Sequence, residues 1–284
     1  MKHYIYICSF VILLAASSCD KLLDKEPTSQ VSPEKYLNDA SQLGYYANGL
    51  YTNILPSHSG YSLTFVKDQY TDNQAYITPN PIYIKDSWTV PANDSWNFKN
   101  IYDCNYFLER VLPRYEKGEV SGSTTEICQY IGEVLFLRAY EYFDLYQNYG
   151  DLPIVTNTLP DDQTVLTEAS KRFPRNEVAR FILSDLDKAL EMMPEQFESR
   201  HTRINRNCVL LLKSRVALYE GTFLKYFKGT PFVPQGEGWP GAQKEYSASY
   251  QYPLGGIDEE INWFLDQAIT SSALLADNII LTAN

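Results

Sequence analysis

The segment from Ile127 to Pro153 restricts the fold of this chain more than any other stretch. Ile127, Ile131, Val134, Leu135, Arg138, Tyr142, Leu145 and Tyr149 recur at helical spacing, while Phe136, Tyr140 and Phe143 occupy a second face. A helix apolar on two faces has to be sandwiched between neighbours. Gly150 offers the left-handed position past its end, and Pro153 prevents continuation. The fold must therefore supply helices on both sides of this one.

Those partners are readable along the chain. Ser32-Pro33-Glu34 reads as a helix start, followed by Tyr36, Leu37, Ala40, Leu43, Ala47, Leu50 and Tyr51 and ended by Pro56. Asn93-Asp94-Ser95 reads as the cap of a helix to about Glu116, with Phe98, Ile101, Asn105, Leu108 and Leu112 on one stripe. Further helical spacing runs from about Pro174 to Pro194, from about 205 to 228 and from 257 to 276. Residues 57–93 and 229–256 are rich in Gly, Pro, Asn, Ser, Thr and Tyr and lack sustained periodicity, so they read as loops. The expected fold is all-α, made of degenerate tetratricopeptide-like repeats with long irregular insertions, because each helix pair must stack on another to hide its second face.

The N-terminus reads as an address. One Lys precedes a short apolar run, and Ala16-Ser17-Ser18-Cys19 places small residues directly before a cysteine, as in a lipoprotein signal. Residues 1–18 are expected to be a signal peptide, Cys19 the lipidated residue and 19–33 a tether to a membrane surface. The helical domain then occupies 34–284. Cys104, Cys128 and Cys208 have no metal-like spacing and read as small buried residues.

Composition narrows the function. With 24 Lys+Arg against 35 Asp+Glu, a net charge of -11 excludes a nucleic-acid binder that rests on a basic surface. Three histidines, of which His58 and His201 follow the signal, leave little for an imidazole-based metal site. No catalytic constellation, phosphate-binding glycine loop or calcium loop is present. Glu259-Glu260 and Asp161-Asp162 read as ordinary surface acids rather than a glycosidase pair. Arg138 and Arg215 interrupt apolar faces and call for partners; Glu133, Asp144 and Asp185 are the candidates. The 23 tyrosines fall mostly in helices. Loop aromatics set among amides and carboxylates are the better binding signal, since sugar rings present apolar faces and hydroxyls together. The expected ligand contacts are Asp72, Asn73, Tyr76, Asn80, Tyr83, Trp88 and Trp96, with the tyrosines at 246–252 as further candidates.

Several segments resemble the SusD/RagB family of surface nutrient-binding lipoproteins. Cys19-Asp-Lys-Leu-Leu-Asp-Lys-Glu-Pro27 is similar to the family's start, and Trp96 to Glu109 to one of its helices. Gly132-Glu133, Phe136-Leu-Arg138-Ala139, Tyr142-Phe143 and Tyr149-Gly150-Asp151-Leu-Pro153 match its G-E-x-x-F-L-R-A…Y-F…Y-G-D-x-P signature. Arg175-Asn-Glu-Val178 and Leu212 to Thr222 support the match. The resemblance implies a tetratricopeptide-like fold and no enzymatic activity or cofactor. It also implies lipid anchoring at the outer membrane, facing outward, and a SusC-like TonB-dependent transporter as partner. Its ligands would be glycans, with peptides or a purely docking role on the transporter as alternatives. Family members continue beyond the equivalent of Asn284, so the resemblance implies the N-terminal portion of a longer protein.

Overall fold

In the computed structural model, residues 36–56, 77, 84–87, 97–197, 202–277 and 279 are described. They form seven α-helices and no strand: α1 (Ala40–Ile54), α2 (Lys99–Glu116), α3 (Thr124–Tyr149), α4 (Gln163–Ala169), α5 (Arg175–Met192), α6 (Arg206–Tyr226) and α7 (Ile257–Ala276). The all-α expectation holds. The two-faced helix is α3, and α1 and α2 pack on one side of it and α5 on the other; α6 then lies on α5 and α7 on α6. Fully buried Ile131, Val134, Leu137 and Tyr142 carry the α3 contribution to a continuous core. Near Met193 the α3 backbone comes so close to α5 that a Cβ on Gly132 would stand 2.5 Å from Met193 Cγ and 3.2 Å from Ala189 O.

Helix ends follow local chemistry. Ser123 Oγ accepts from Glu126 N at the start of α3, and Gly150 closes it at φ 68°. Asn205 and Asp162 cap α6 and α4 in the same manner. The start of α1 differs from the expected one. Leu37 adopts φ 63° and Asp39 is extended, so the helix begins at Ala40, with Asp39 Oδ1 accepting from Gln42 N at 3.0 Å. Tyr36 and Leu37, which continue the apolar periodicity, precede the helix. They are held there by Arg114, whose guanidinium donates to Tyr36 O, and by Ser121, which donates its N–H to Asn38 O. In the same way α2 begins at Lys99, whose N–H is accepted by Asn97 Oδ1; the expected cap at 93–95 lies outside the described residues.

The layers are also tied by buried ion pairs. Arg138 on α3 makes a two-pronged pair with Asp185 on α5 (2.7 and 2.8 Å), and its third nitrogen donates to Asn105 Oδ1 on α2 at 2.8 Å. Arg175 at the start of α5 pairs with Glu220 on α6 and lies 3.3 Å over the Phe223 ring. Arg180 grips Glu260 on α7 at 2.6 and 2.7 Å, and Arg203 grips Glu133 on α3. All four carboxylates are fully buried. Glu260 is thus a scaffold acid and not the surface acid expected; its neighbour Glu259 is exposed. Of the two arginines singled out in the sequence, Arg138 has found Asp185 and Arg215 is exposed on α6. Of the three cysteines among the described residues, Cys104 is buried, Cys128 half-buried and Cys208 exposed, which corrects the reading of all three as core.

Two outcomes follow from this packing. Gly132→Val should cost about 1–3 kcal/mol through overpacking at the α3–α5 crossing. Gly49→Ala, whose Cβ meets nothing within 4 Å on α1, should stabilise by about 0.5–1 kcal/mol. Urea unfolding midpoints of the two variants check the opposite signs. Asp185→Leu should cost about 3–5 kcal/mol because it strands a buried guanidinium, and adding Arg138→Met should recover a large part of that loss. A double variant no more stable than Asp185→Leu alone would show that the pair is not what holds α3 to α5.

Candidate functional site

The expected ligand contacts Asp72, Asn73, Tyr76, Asn80, Tyr83, Trp88 and Trp96 lie outside the described residues, as do Cys19, His58 and His201. The tyrosines at 246–252 divide. Tyr252 is buried and its hydroxyl donates to Pro234 O at 2.7 Å. Tyr250 Oη accepts from Asn176 Nδ2 and donates to Glu177 Oε1, which ties the 229–256 loop to α5. These two belong to the scaffold, contrary to expectation. Only Tyr246, 44% exposed, faces outward.

Tyr246 stands at a cleft of about 600 Å³ enclosed by the end of α3, the segment leading into α5 and the 229–256 loop. That volume lies within the range of about 300–1,000 Å³ usual for small-ligand sites. The turn at Gly150 places Asp151 at its base, where one carboxylate oxygen accepts from Arg175 N (2.8 Å) and the other from Trp239 Nε1 (3.0 Å). Burial pushes the Asp151 carboxyl above its ordinary value of 3.8, against the opposing pull of those two bonds and of Arg175 and Arg172. Asp151 thereby fixes the indole of Trp239, itself 3% exposed, against the cleft. Phe223, beneath the Arg175 guanidinium, and Phe232, 63% exposed and edge-on to Phe227, supply further apolar faces. Gln147, Asn148, Ser170, Arg172, Lys244 and Ser247 add polar side chains to the lining. Flat rings beside amides, hydroxyls and cations are the groups that take a saccharide.

A second cleft of about 380 Å³ lies beside the N-terminal half of α2, between Phe98, Ile101, Tyr102, Pro153, Val155 and Leu166. Asn105 also lines it, but its amide already donates to Val155 O and its oxygen accepts from Arg138. This leaves an apolar hollow with few polar groups to orient a ligand. Among the described residues no cluster of His, Cys, Asp or Glu is placed to hold a metal ion, and no helix is long and apolar enough to cross a membrane.

Arg172, Phe232, Trp239 and Lys244 escape sequence reasoning because they come from two loops that only the fold brings together. The available signals are the Gly, Pro and Tyr content of 229–256 and the Y-G-D-x-P run ending at Pro153, which places Asp151 at a helix end.

A family model described as SusD-like, starch-binding and associating with the outer membrane, matches residues 21–218. Two SusD-like proteins of Formosa agariphila are 26% and 25% identical to this chain over 227 and 248 residues. These alignments cover 74% and 84% of this chain and 42% and 47% of theirs, so the chain spans less than half the length of the curated relatives it matches. The crystal structure of a SusD homologue from Bacteroides thetaiotaomicron superposes with a TM-score of 0.56 at 22% identity, over 89% of this chain and 44% of that one, a likeness of fold. The stacked helices and a family match across more than half of the sequence establish that the chain belongs to the SusD-like family.

Proposed function

We propose that the chain captures glycans at the bacterial surface without catalysis, and that it hands them to a SusC-like TonB-dependent transporter. The observation that carries this reading is the family match over residues 21–218, whose description is starch-binding and outer-membrane associated. The cleft at Asp151 supports it with preset aromatic faces and hydrogen-bonding groups in one place. In this reading acylated Cys19 anchors the chain, residues 19–33 form the tether, and 34–284 form the binding domain. The loop residues Asp72, Asn73, Tyr76, Asn80, Tyr83, Trp88 and Trp96 contribute contacts in addition to those of the cleft. The absence of catalysis accords with the roles of the buried carboxylates, since Glu133, Asp185, Glu220 and Glu260 are each held by an arginine inside the scaffold.

Isothermal calorimetry of the purified chain with a broad oligosaccharide panel should give binding to at least one member, and no release of reducing ends should accompany it. Phe232→Ala and Tyr246→Ala should each weaken binding by about 0.5–1.5 kcal/mol, a few-fold to about tenfold, with unfolding midpoints unchanged. No binding across the panel would overturn the glycan assignment. Copurification of a TonB-dependent transporter from membranes would test the delivery step by itself.

A further inference from the structure

The last helix pair carries most of the aliphatic surface that the fold leaves open. Six large aliphatic side chains are more than half exposed among the described residues, and five of them, Leu211, Leu218, Ile269, Leu274 and Ile279, lie on α6, on α7 or just past its end. Single exposed leucines are ordinary, whereas a concentration on one face marks a place where another surface lands. Leu211, Arg215, Leu218 and Lys225 are spaced by four, three and seven residues along α6, and Glu259, Asn262, Asp266 and Ile269 by three, four and three along α7. All eight are exposed. Each helix therefore turns to solvent a stripe with the spacing by which one helix packs along another. Glu220 and Glu260 reach arginines of α5 from the opposite side of the same two helices, so both stripes belong to one outer face.

The two stripes differ in sign. Helix α6 presents the cations Arg215 and Lys225, and α7 the acids Glu259 and Asp266; none of the four enters an ion pair among the described residues. The helices run antiparallel in a register fixed by three contacts. Lys228 pairs with Asp258 at 2.6 Å, a Cβ on Gly221 would stand 2.9 Å from the Leu265 side chain, and Ser214 Oγ donates to Ala268 O at 3.1 Å. Leu218 is thereby level with Ile269, and Lys225 lies within one turn of Glu259. A two-fold axis parallel to the helices would lay α6 of each copy on α7 of the other at these same levels, cations on acids and leucine on isoleucine. A two-fold axis across the helices would set α6 on α6, like charge on like. Only the first arrangement is self-complementary. Helices of 21 and 20 residues side by side offer a face of roughly 30 Å by 20 Å. Two such faces together would bury about 1,200 Å², the lower end of the range for specific complexes.

We propose that the outer face of α6 and α7 docks on the same face of a second copy of this chain, a two-fold four-helix contact in which Lys225 meets Glu259 of the partner subunit and Leu218 meets the partner subunit's Ile269. The contact is independent of the glycan reading of the cleft. Sedimentation equilibrium of the purified chain from about 1 μM to about 1 mM tests it, and the chain should pass from monomer to dimer within that range. Leu218→Glu and Ile269→Glu, at exposed positions where circular dichroism should show the fold retained, should each weaken dimerisation at least about tenfold. Charge reversal separates this contact from any other. Lys225→Glu or Glu259→Lys alone should weaken the dimer several-fold, and the two together should restore it, because the exchanged charges meet again across the interface. Monomer throughout the range would overturn the inference and leave the face to a different polypeptide. A dimer indifferent to the Leu218 and Ile269 variants, or a double reversal no stronger than the single ones, would overturn it also, by placing the contact elsewhere.

Discussion

The stacking of this molecule depends on the Arg138 guanidinium. It lies inside the protein at 5% exposure, and a charge in that position is tolerated only when every nitrogen finds a partner. Asp185 takes two of them and Asn105 the third, so one side chain of α3 is bonded to α5 and to α2 at once. The Asn105 amide in turn donates to Val155 O, and Val155 N donates to the Tyr142 hydroxyl. The segment after α3 is thereby fastened to the helix it leaves. Apolar packing alone would let helices rotate or slide among nearly equivalent arrangements. A buried donor set with fixed directions penalises all but one of them by leaving groups unsatisfied.

Helix α5 repeats the device along its length. Asp185 reaches α3, Arg175 reaches Glu220 on α6, and Arg180 with Asn176 reaches Glu260 on α7. Successive layers are therefore joined through one helix by charges as well as by area. The same construction shapes the cleft. Arg175 holds Glu220 with its side chain and Asp151 with its backbone N–H, and Asp151 holds Trp239. The ion pair between α5 and α6 and the almost wholly buried indole wall of the cleft are thus two hydrogen bonds apart. A wall fixed in this manner loses little conformational freedom when a ligand arrives.

The parts of the fold legible in the sequence are those dictated by neighbours along the chain. The bounds of α7, the end of α3 at Gly150, and the sandwiching of α3 follow from periodicity and caps. The start of α1 was not legible, because Tyr36 and Leu37 continue the apolar period while the backbone at Leu37 turns left-handed to meet residues 114 and 121. Helix α4 buries none of its residues, so no apolar stripe announces it. Glu260 looks like a first-turn acid beside Glu259, and only the arrival of Arg180 from α5 separates a buried acid from an exposed one. Arg215 and Arg138 show the converse: both sit among apolar residues in sequence, yet α6 turns one outward and α3 turns the other in.

The tyrosine excess is resolved by the same distinction between local pattern and distant partner. Tyr142 and Tyr146 are buried in α3 with their hydroxyls bonded to Val155 and Glu220, and Tyr51 on α1 accepts from Ile204 N. Burial raises the pKa of each phenol, so these hydroxyls stay protonated and keep their capacity to donate. Phenylalanine at such positions would fill the space but leave carboxylate oxygens and backbone groups short of partners. A scaffold whose core contains four arginine–carboxylate pairs needs side chains that are bulky and apolar along most of their length and polar at the tip. Tyrosine meets that requirement with two rotatable bonds, which is why the abundance of tyrosine belongs first to the architecture. The aromatics open to a ligand, Phe232 and Tyr246, are those whose rings stand outside that network.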